Sequence, residues 1–173
     1  TAQAIQNGAA VIFQACLRQG SFRGYADFLK RIGCDDAGRH QYEVWDTKLA
    51  RSAKPTYLVQ LCCYAEMLEP LQGRRPKRIG VVLGSGDSSV FNTEEFFHIY
   101  LQLRSGFLAL MDAFDPNSPP QPEPRADHGR WQSHAQHWVM ENDHLVQVAG
   151  ISTSQIRRLQ AAKITTVAGL AKT

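Results

Sequence analysis

Cysteine is sparse: Cys16, Cys34, Cys62 and Cys63 are the only 4 in 173 residues, and no two are spaced C-x-x-C. That spacing argues against a disulfide-stapled secreted scaffold and a cysteine-built zinc site, and it sets the expectation of a reduced, cytoplasmic compartment. Long apolar runs are missing as well. No stretch approaches the roughly 18 residues that a membrane-spanning helix needs, and no secretory signal is visible. Neither sign of charge dominates, with 19 Lys and Arg against 16 Asp and Glu and a net of +3. The basic residues nevertheless gather at Arg74-Arg75-Pro76-Lys77-Arg78 and at Arg157-Arg158, which suits a phosphate backbone or simply a solvated loop. No histidine precedes His40. An initiator Met is also lacking, and a helical pattern runs almost to Thr173, so the expectation is a piece of a larger protein. What remains is 43% hydrophobic and 20% charged, a composition that supports one α/β domain with a core and a small appendage.

The stretch Tyr42-Glu43-Val44-Trp45-Asp46-Thr47-Lys48-Leu49-Ala50 reads as a strand, on which alternate side chains share a face. Asp46 and Lys48 are therefore neighbours. A carboxylate can hold a hard divalent cation, and an ammonium beside it can orient a water or steady a developing phosphoryl charge. An ion pair kept for solubility is the plainer alternative. Upstream, Phe22 to Ile32 is a second strand candidate, and Gly33 to His40 is a polar, glycine-containing loop. A hairpin centred on that loop sets Asp27 opposite Asp46 and Tyr25 opposite Lys48. Facing carboxylates repel, and a shared metal ion is the simplest reason to tolerate them. A shifted register with Asp27 at the solvent face is the alternative.

The flanking chain supplies helices and two further strands. Apolar positions at Ile5, Ala9, Ile12 and Cys16 predict a helix over residues 2 to 18, which would carry Gln14 towards the site. Pro55 suits the first turn of a helix to about Glu69, stopped by Pro70 and Gly73. Its apolar stripe is Leu58, Leu61, Cys62, Ala65 and Leu68, while Gln60 and Tyr64, one turn apart, reach a common groove. Arg51, Ser52 and Lys54, just ahead of it, offer donors to a phosphate. Arg78 to Leu83 is a nearly continuous apolar run, as in a strand buried on both faces. Gly84 to Asp87 then turns the chain into a strand over Ser88 to Phe91, and Glu94 to about Phe114 reads as a long helix. The expected fold is α/β, a mixed β-sheet flanked by helices.

Pro116 to Arg125 is too proline-rich for a helix or a sheet interior. It divides the chain into a domain over 1–114, a linker over 115–126 and a helical segment over 127–173. In that segment His128, His134, His137 and His144 lack a cysteine or carboxylate cluster to complete a metal set, so they are expected to face solvent.

Three short motifs occur in order: Gly24-Tyr25-Ala26-Asp27, Asp46-Thr47-Lys48 and Gln60-Leu61-Cys62-Cys63-Tyr64. Together they resemble the G-x-x-D, D/E-x-K and Q-x-x-x-Y motifs of RecB-like nucleases of the PD-(D/E)XK superfamily, over roughly residues 1 to 110. The resemblance implies a restriction-endonuclease-like sheet and a Mg²⁺- or Mn²⁺-dependent DNA nuclease. Asp27, Asp46 and the Thr47 carbonyl would hold the metal, Lys48 would position the attacking water, and Gln60 and Tyr64 would orient the strand being cut. An upstream His or Glu often adds a ligand in that family; here Gln14 occupies about that place. The wider phrase from Tyr42 to Leu68 is similar to RecB-family nucleases found with RNase H-like or helicase domains, which implies such a domain fused or associated. The implied substrate is DNA, single-stranded or with ends, in repair or processing. Some relatives carry an iron-sulfur cluster near the C-terminal end, where this chain has no cysteine. The last stretch, Val146 to Thr173, resembles a helix-hairpin-helix DNA-binding unit. There Arg157, Arg158 and Lys163, with Arg51 and Lys54 of the first domain, would contact DNA phosphates. Lys163 stands where that unit has a glycine, at a conformational cost. The competing expectation is a nuclease-fold module that has lost activity and binds nucleic acid or a partner domain.

Overall fold

The computed structural model describes residues 1–118 and 121–173, so Pro119 and Pro120 of the predicted linker lie outside the described residues. The chain divides into two compact units, Thr1–Ala113 and Phe114–Thr173. The first contains α1 (Ala2–Gln6), β1 (Val11–Gln19), β2 (Phe22–Cys34), β3 (His40–Lys48), α2 (Pro55–Gln72), β4 (Arg78–Leu83), β5 (Ser88–Asn92) and α3 (Thr93–Asp112). The second contains α4 (Gln132–Glu141), α5 (Thr153–Ala161) and α6 (Val167–Leu170), with 3₁₀ turns at Gly129–Trp131 and Leu145–Gln147.

The strands form one mixed sheet in the order β1-β2-β3-β4-β5. Only β3 and β4 run parallel. Parallel neighbours need a long crossover, and α2 supplies it. Pro55 opens that helix, where a missing N–H costs nothing, and Gly73 closes it with a left-handed φ of 82°. Its stripe of Leu58, Leu61, Cys62, Ala65 and Leu68 is buried against the sheet, together with Met67. Leu17, Leu29, Val44, Ile79 and Val81 meet it from β1 to β4, and α3 adds Phe97 and Tyr100. No helix among the described residues is long and apolar enough to cross a membrane.

The expected helix over residues 2 to 18 is corrected: it ends at Gln6 and the chain becomes strand β1. Asn7-Gly8 is the cause. Gly8 takes a left-handed φ of 67°, and a Cβ there would stand 2.4 Å from His40 Nε2, so the turn admits glycine and stops the helix. Beyond it Val11, Ile12 and Phe13 are β-branched or aromatic, and they pair with Lys30, Leu29 and Phe28 of β2. The helical apolar spacing was a coincidence of two elements. In α2, Pro70 does not stop the helix, which runs on to Gln72; near a C-terminus a proline forfeits one backbone bond without breaking the helix.

The β2–β3 register sets Phe28 opposite Trp45, Leu29 opposite Val44 and Lys30 opposite Glu43, as the loop position predicts, with a bulge between Arg31 and Gly33. Two buried glutamines then secure the start of β3, where β4 has not yet begun to pair. Gln72 accepts from Tyr42 N–H at 2.8 Å and donates to the Tyr42 carbonyl at 3.3 Å, so it stands in for a strand neighbour. Gln41 donates to the Gln72 carbonyl at 3.0 Å and accepts from Arg74 Nε at 2.8 Å. Replacing Gln72 by Met keeps the bulk and leaves both Tyr42 backbone groups buried without partners. Each such group costs about 1–3 kcal/mol, so Q72M is expected to lower unfolding stability by about 2–4 kcal/mol in urea titration, with the slope of the transition unchanged.

Candidate active site

The site lies at the carboxyl end of β3, where β2, β3 and α2 meet. Its geometry begins with a break in strand alternation. On β1 the buried positions run Ile12, Ala15, Leu17, and on β2 they run Leu29, Ala26. Each strand thus takes one step of three at the facing residues Gln14 and Asp27. Gln14 absorbs the step on β1 with a φ of 48°, a region that costs a non-glycine residue of order 1 kcal/mol or more. Its side chain then donates from Nε2 to Asp27 Oδ1 at 3.0 Å.

Asp27 receives more. Its Oδ2 accepts from the Thr47 N–H at 2.9 Å and from Thr47 Oγ1 at 2.6 Å. Partial burial pushes the Asp27 carboxyl up, but the bonds from Thr47, with Asp46 and Gln14, outweigh it and hold the group below the ordinary carboxylate range. Asp46 is in the opposite condition. Burial, the largest cause, raises its pKa, and the Asp27 charge raises it further, against the lowering effect of Lys48. The two carboxyl groups lie close enough for each to shift the acidity of the other. The two acids are thus driven apart in acidity, Asp27 downward and Asp46 upward.

Lys48 joins this pair to the helix. Its ammonium forms an ion pair with Asp46 Oδ2, which is buried and has no donor aligned on it as a hydrogen bond. Lys48 Nζ donates to Gln60 Oε1 at 3.0 Å, and Gln60 Nε2 donates to Tyr64 Oη at 3.2 Å. The Tyr57 ring lies 5.3 Å from the same ammonium. Tyr64 is fixed from behind by Gly24, where a Cβ would stand 2.5 Å from the Tyr64 ring.

Asp27, Asp46, Lys48, Gln60 and Tyr64 therefore form one connected group with Thr47 and Gln14. One expectation is corrected: Tyr25 does not face Lys48. The alternation break at Asp27 turns Ala26 inward and Tyr25 outward, where Tyr25 is exposed and accepts from Arg23 Nη2 at 2.8 Å. Gln14 reaches the site from a strand, not from a helix. Two contributions were not anticipated: the Thr47 side chain and N–H as donors to Asp27, and the Tyr57 ring beside Lys48. The Asn7-Gly8 pair is the signal that would have placed Gln14 on a strand.

Arg51 and Lys54 are exposed in the loop that follows β3, on the edge that carries Lys48. In the second unit Arg157 and Arg158 are exposed on α5, and Lys163 follows that helix with a φ of 62°. The turn between α5 and α6 is thus left-handed at a lysine, with the strain expected of a residue standing in for glycine. Asp143 braces it, accepting from Val167 N–H through its carbonyl at 2.9 Å and from Ala168 N–H through Oδ2 at 2.8 Å. His137 pairs with Glu141 at 3.1 Å, and His144 Nδ1 accepts from Val146 N–H at 3.1 Å.

Among the described residues no group of three or more His, Cys, Asp or Glu side chains converges. A cation at this site would rest on two carboxylates, a backbone carbonyl and water. That set fits Mg²⁺ or Mn²⁺, hard ions that keep several waters, and Asp46 Oδ2, buried beside the Lys48 ammonium, lacks an aligned hydrogen-bond donor. No family model matches the chain, and no curated protein is significantly similar to it.

The acidity of Asp46 gives a test without metal. A raised folded-state pKa contributes stability that is fully present below the unfolded value and is lost as pH rises through the folded value. Asp46→Asn has no such loss. In chelator the D46N protein is expected to melt higher than the parent at pH 7. The gain should shrink as the pH falls below the folded pKa of Asp46, read from melting temperatures across pH 4 to 8.

Proposed function

We propose that the Thr1–Ala113 unit is a metal-dependent nuclease of the RecB-like, PD-(D/E)XK kind, which hydrolyses phosphodiester bonds in DNA during repair or processing. The observation that carries this reading is the contact chain in which Asp27 bonds to Thr47, between Asp46 and Lys48 on β3, and Lys48 pairs with Asp46 and bonds to Gln60, which bonds to Tyr64. It joins two strands and a helix at one end of the sheet and includes residues of all three motifs. The mixed sheet crossed by α2 is also the architecture such an enzyme would need. A restriction-endonuclease-like fold belongs to the same proposal.

Asp27, Asp46 and the Thr47 carbonyl would hold Mg²⁺ or Mn²⁺. The chemistry supplied there by a bound cation is Lewis-acid stabilisation of phosphoryl charge and a lowered pKa for water. The chain's own residues do the rest. Thr47 and Gln14 keep Asp27 ionised and fixed, so it needs no reorganisation before use. Lys48 holds a water for in-line attack on phosphorus, opposite the ester oxygen that leaves. Gln60 aims the Lys48 ammonium by accepting one of its protons in a hydrogen bond, and it orders Tyr64 against the bound strand. Arg51 and Lys54 neutralise neighbouring phosphates. In the second unit, a helix-hairpin-helix-like role for α5 and α6 would add contacts through Arg157, Arg158 and Lys163, which bind phosphates without reading sequence.

A second reading is favoured by Gln14. An amide stands against Asp27 where a third ionic ligand would strengthen a metal site, as in a nuclease-fold module that has lost activity and keeps only binding. Cleavage of single-stranded and duplex DNA with Mn²⁺, with and without chelator, separates the two. Metal-dependent cleavage is expected, and binding with no cleavage would establish the second reading.

Lys48→Ala is expected to slow cleavage by about 10²- to 10³-fold, the usual cost of removing one preorganised donor. DNA affinity in chelator should change little. Equal losses in both measurements would remove the water-positioning role. For the second unit, replacing Arg157, Arg158 and Lys163 together by Gln should flatten the plot of log affinity against log salt, because fewer counterions are released. An unchanged slope would mean that these residues do not meet DNA.

A further inference from the structure

A cavity of about 340 Å³ opens beside the site, and Gln60 and Tyr64 line both. Its other walls include residues with no part in the chemistry: Phe22 at the start of β2, and Leu103 and Phe107 of α3. Phe22 and Phe107 stand with ring centroids 6.2 Å apart, tilted by 50°. The cavity is mainly apolar, yet Arg23 and Arg104 border it. Arg104 pairs with Glu66, and Arg23 meets the hydroxyl and ring face of Tyr25.

Phe22 and Tyr64 pack against the core, but core packing does not account for the outer wall on α3. Leu103 is 55% exposed and Phe107 51% exposed, although both lie on the helix face that carries buried Tyr100. Gly24 has a second consequence here. Without a side chain it lets the Tyr64 ring sit against β2 as a cavity wall. An aromatic slot with cations at its rim, sharing Gln60 and Tyr64 with the Lys48 group, matches a flat aromatic ring attached to a phosphate chain.

We infer that this cavity takes one unpaired nucleobase of the substrate strand, next to the phosphate that is cut. The inference rests on the nuclease reading only for the word substrate, since binding of a base requires no cleavage. Phe22, Tyr64 and Phe107 stack on the base, and Arg23 and Arg104 face the backbone on either side. A base held in a duplex stack cannot enter, so the slot selects single strands and frayed ends. Stacking on aromatic side chains tolerates every base, which predicts little sequence preference.

The whole chain, residues 1–173, is tested in chelator, by fluorescence anisotropy, with two short single-stranded oligonucleotides of equal length, one complete and one with abasic sites through its centre. The complete strand is expected to bind about 5- to 150-fold tighter, the range that one stacked base supplies. Phe107→Ala should remove most of that difference, Phe107→Tyr should retain it, and Phe13→Ala, at an exposed phenylalanine on β1, should not alter it. A complete strand carrying 2-aminopurine should lose fluorescence on binding the unaltered protein, a readout that does not depend on any variant folding. RNA versions of both strands show whether the sugar matters to the slot.

Equal affinity for complete and abasic strands, or unquenched 2-aminopurine, overturns the proposal. So does a concentration-dependent dimer that Phe107→Ala dissociates with no change in base dependence, because the cavity would then hold a second copy of this chain. Base-dependent binding with no metal-dependent cleavage would sink the nuclease reading and leave the slot standing. Cleavage with no base dependence would do the reverse.

Discussion

The site depends on two carboxyl groups held against each other at a partly buried strand end. Two charges so placed would repel and lose solvation, and the protein offsets this unequally. Thr47 and Gln14 give Asp27 three donors, so its charge is accommodated. Asp46 has the Lys48 ammonium and deeper burial, so its proton is harder to remove. The arrangement stores part of the folding free energy as a disfavoured charge, a cost that natural proteins tolerate chiefly at functional sites.

The same constraint explains several local oddities. A strand pair in regular alternation would send Asp27 and Gln14 to fixed faces and keep Ala26 outward. The paired break allows Asp27 to turn its carboxylate onto the Thr47 backbone while Ala15 and Ala26 stay in the core. Its cost is a non-glycine residue at positive φ. Gln72, far along the same helix that carries Gln60 and Tyr64, anchors the opposite end of β3. The helix is thus tied to the strand at both ends, so the spacing between Lys48 and Gln60 is set by rigid elements rather than by a loop. On the proposed reading, that rigidity is what preorganises the ammonium for its water.

The second unit has a different economy. Its core is small, built on Leu145, Ile151 and Ile156, and much of its order comes from caps. Ser152 and Gln155 form a reciprocal capping box at α5, and Thr166 caps α6. Exposed cations on α5 and at the left-handed Lys163 leave that face without carboxylate partners close by in the chain, as a phosphate-binding role would require.

Much was legible in the sequence because it rests on local rules. The D-x-K strand, the apolar run of β4 and the α2 stripe follow from periodicities of two and 3.6. The polar loop from Gly33 to His40 located the β2–β3 register that brings Asp27 towards Asp46. The identity of Gln60 and Tyr64 as groove residues followed from their spacing by one helical turn. What the tertiary structure alone decided was non-local. Val11 to Gln19 is a strand because β2 offers it backbone partners, an influence that the helical spacing of Ile5, Ala9 and Ile12 could not register. The inward turn of Ala26, the outward turn of Tyr25 and the left-handed Gln14 arise from two strands breaking alternation together, which neither strand's pattern specifies by itself. The unequal acidities of Asp27 and Asp46 are likewise tertiary, because burial and donor geometry, not residue type, set which carboxylate keeps its charge.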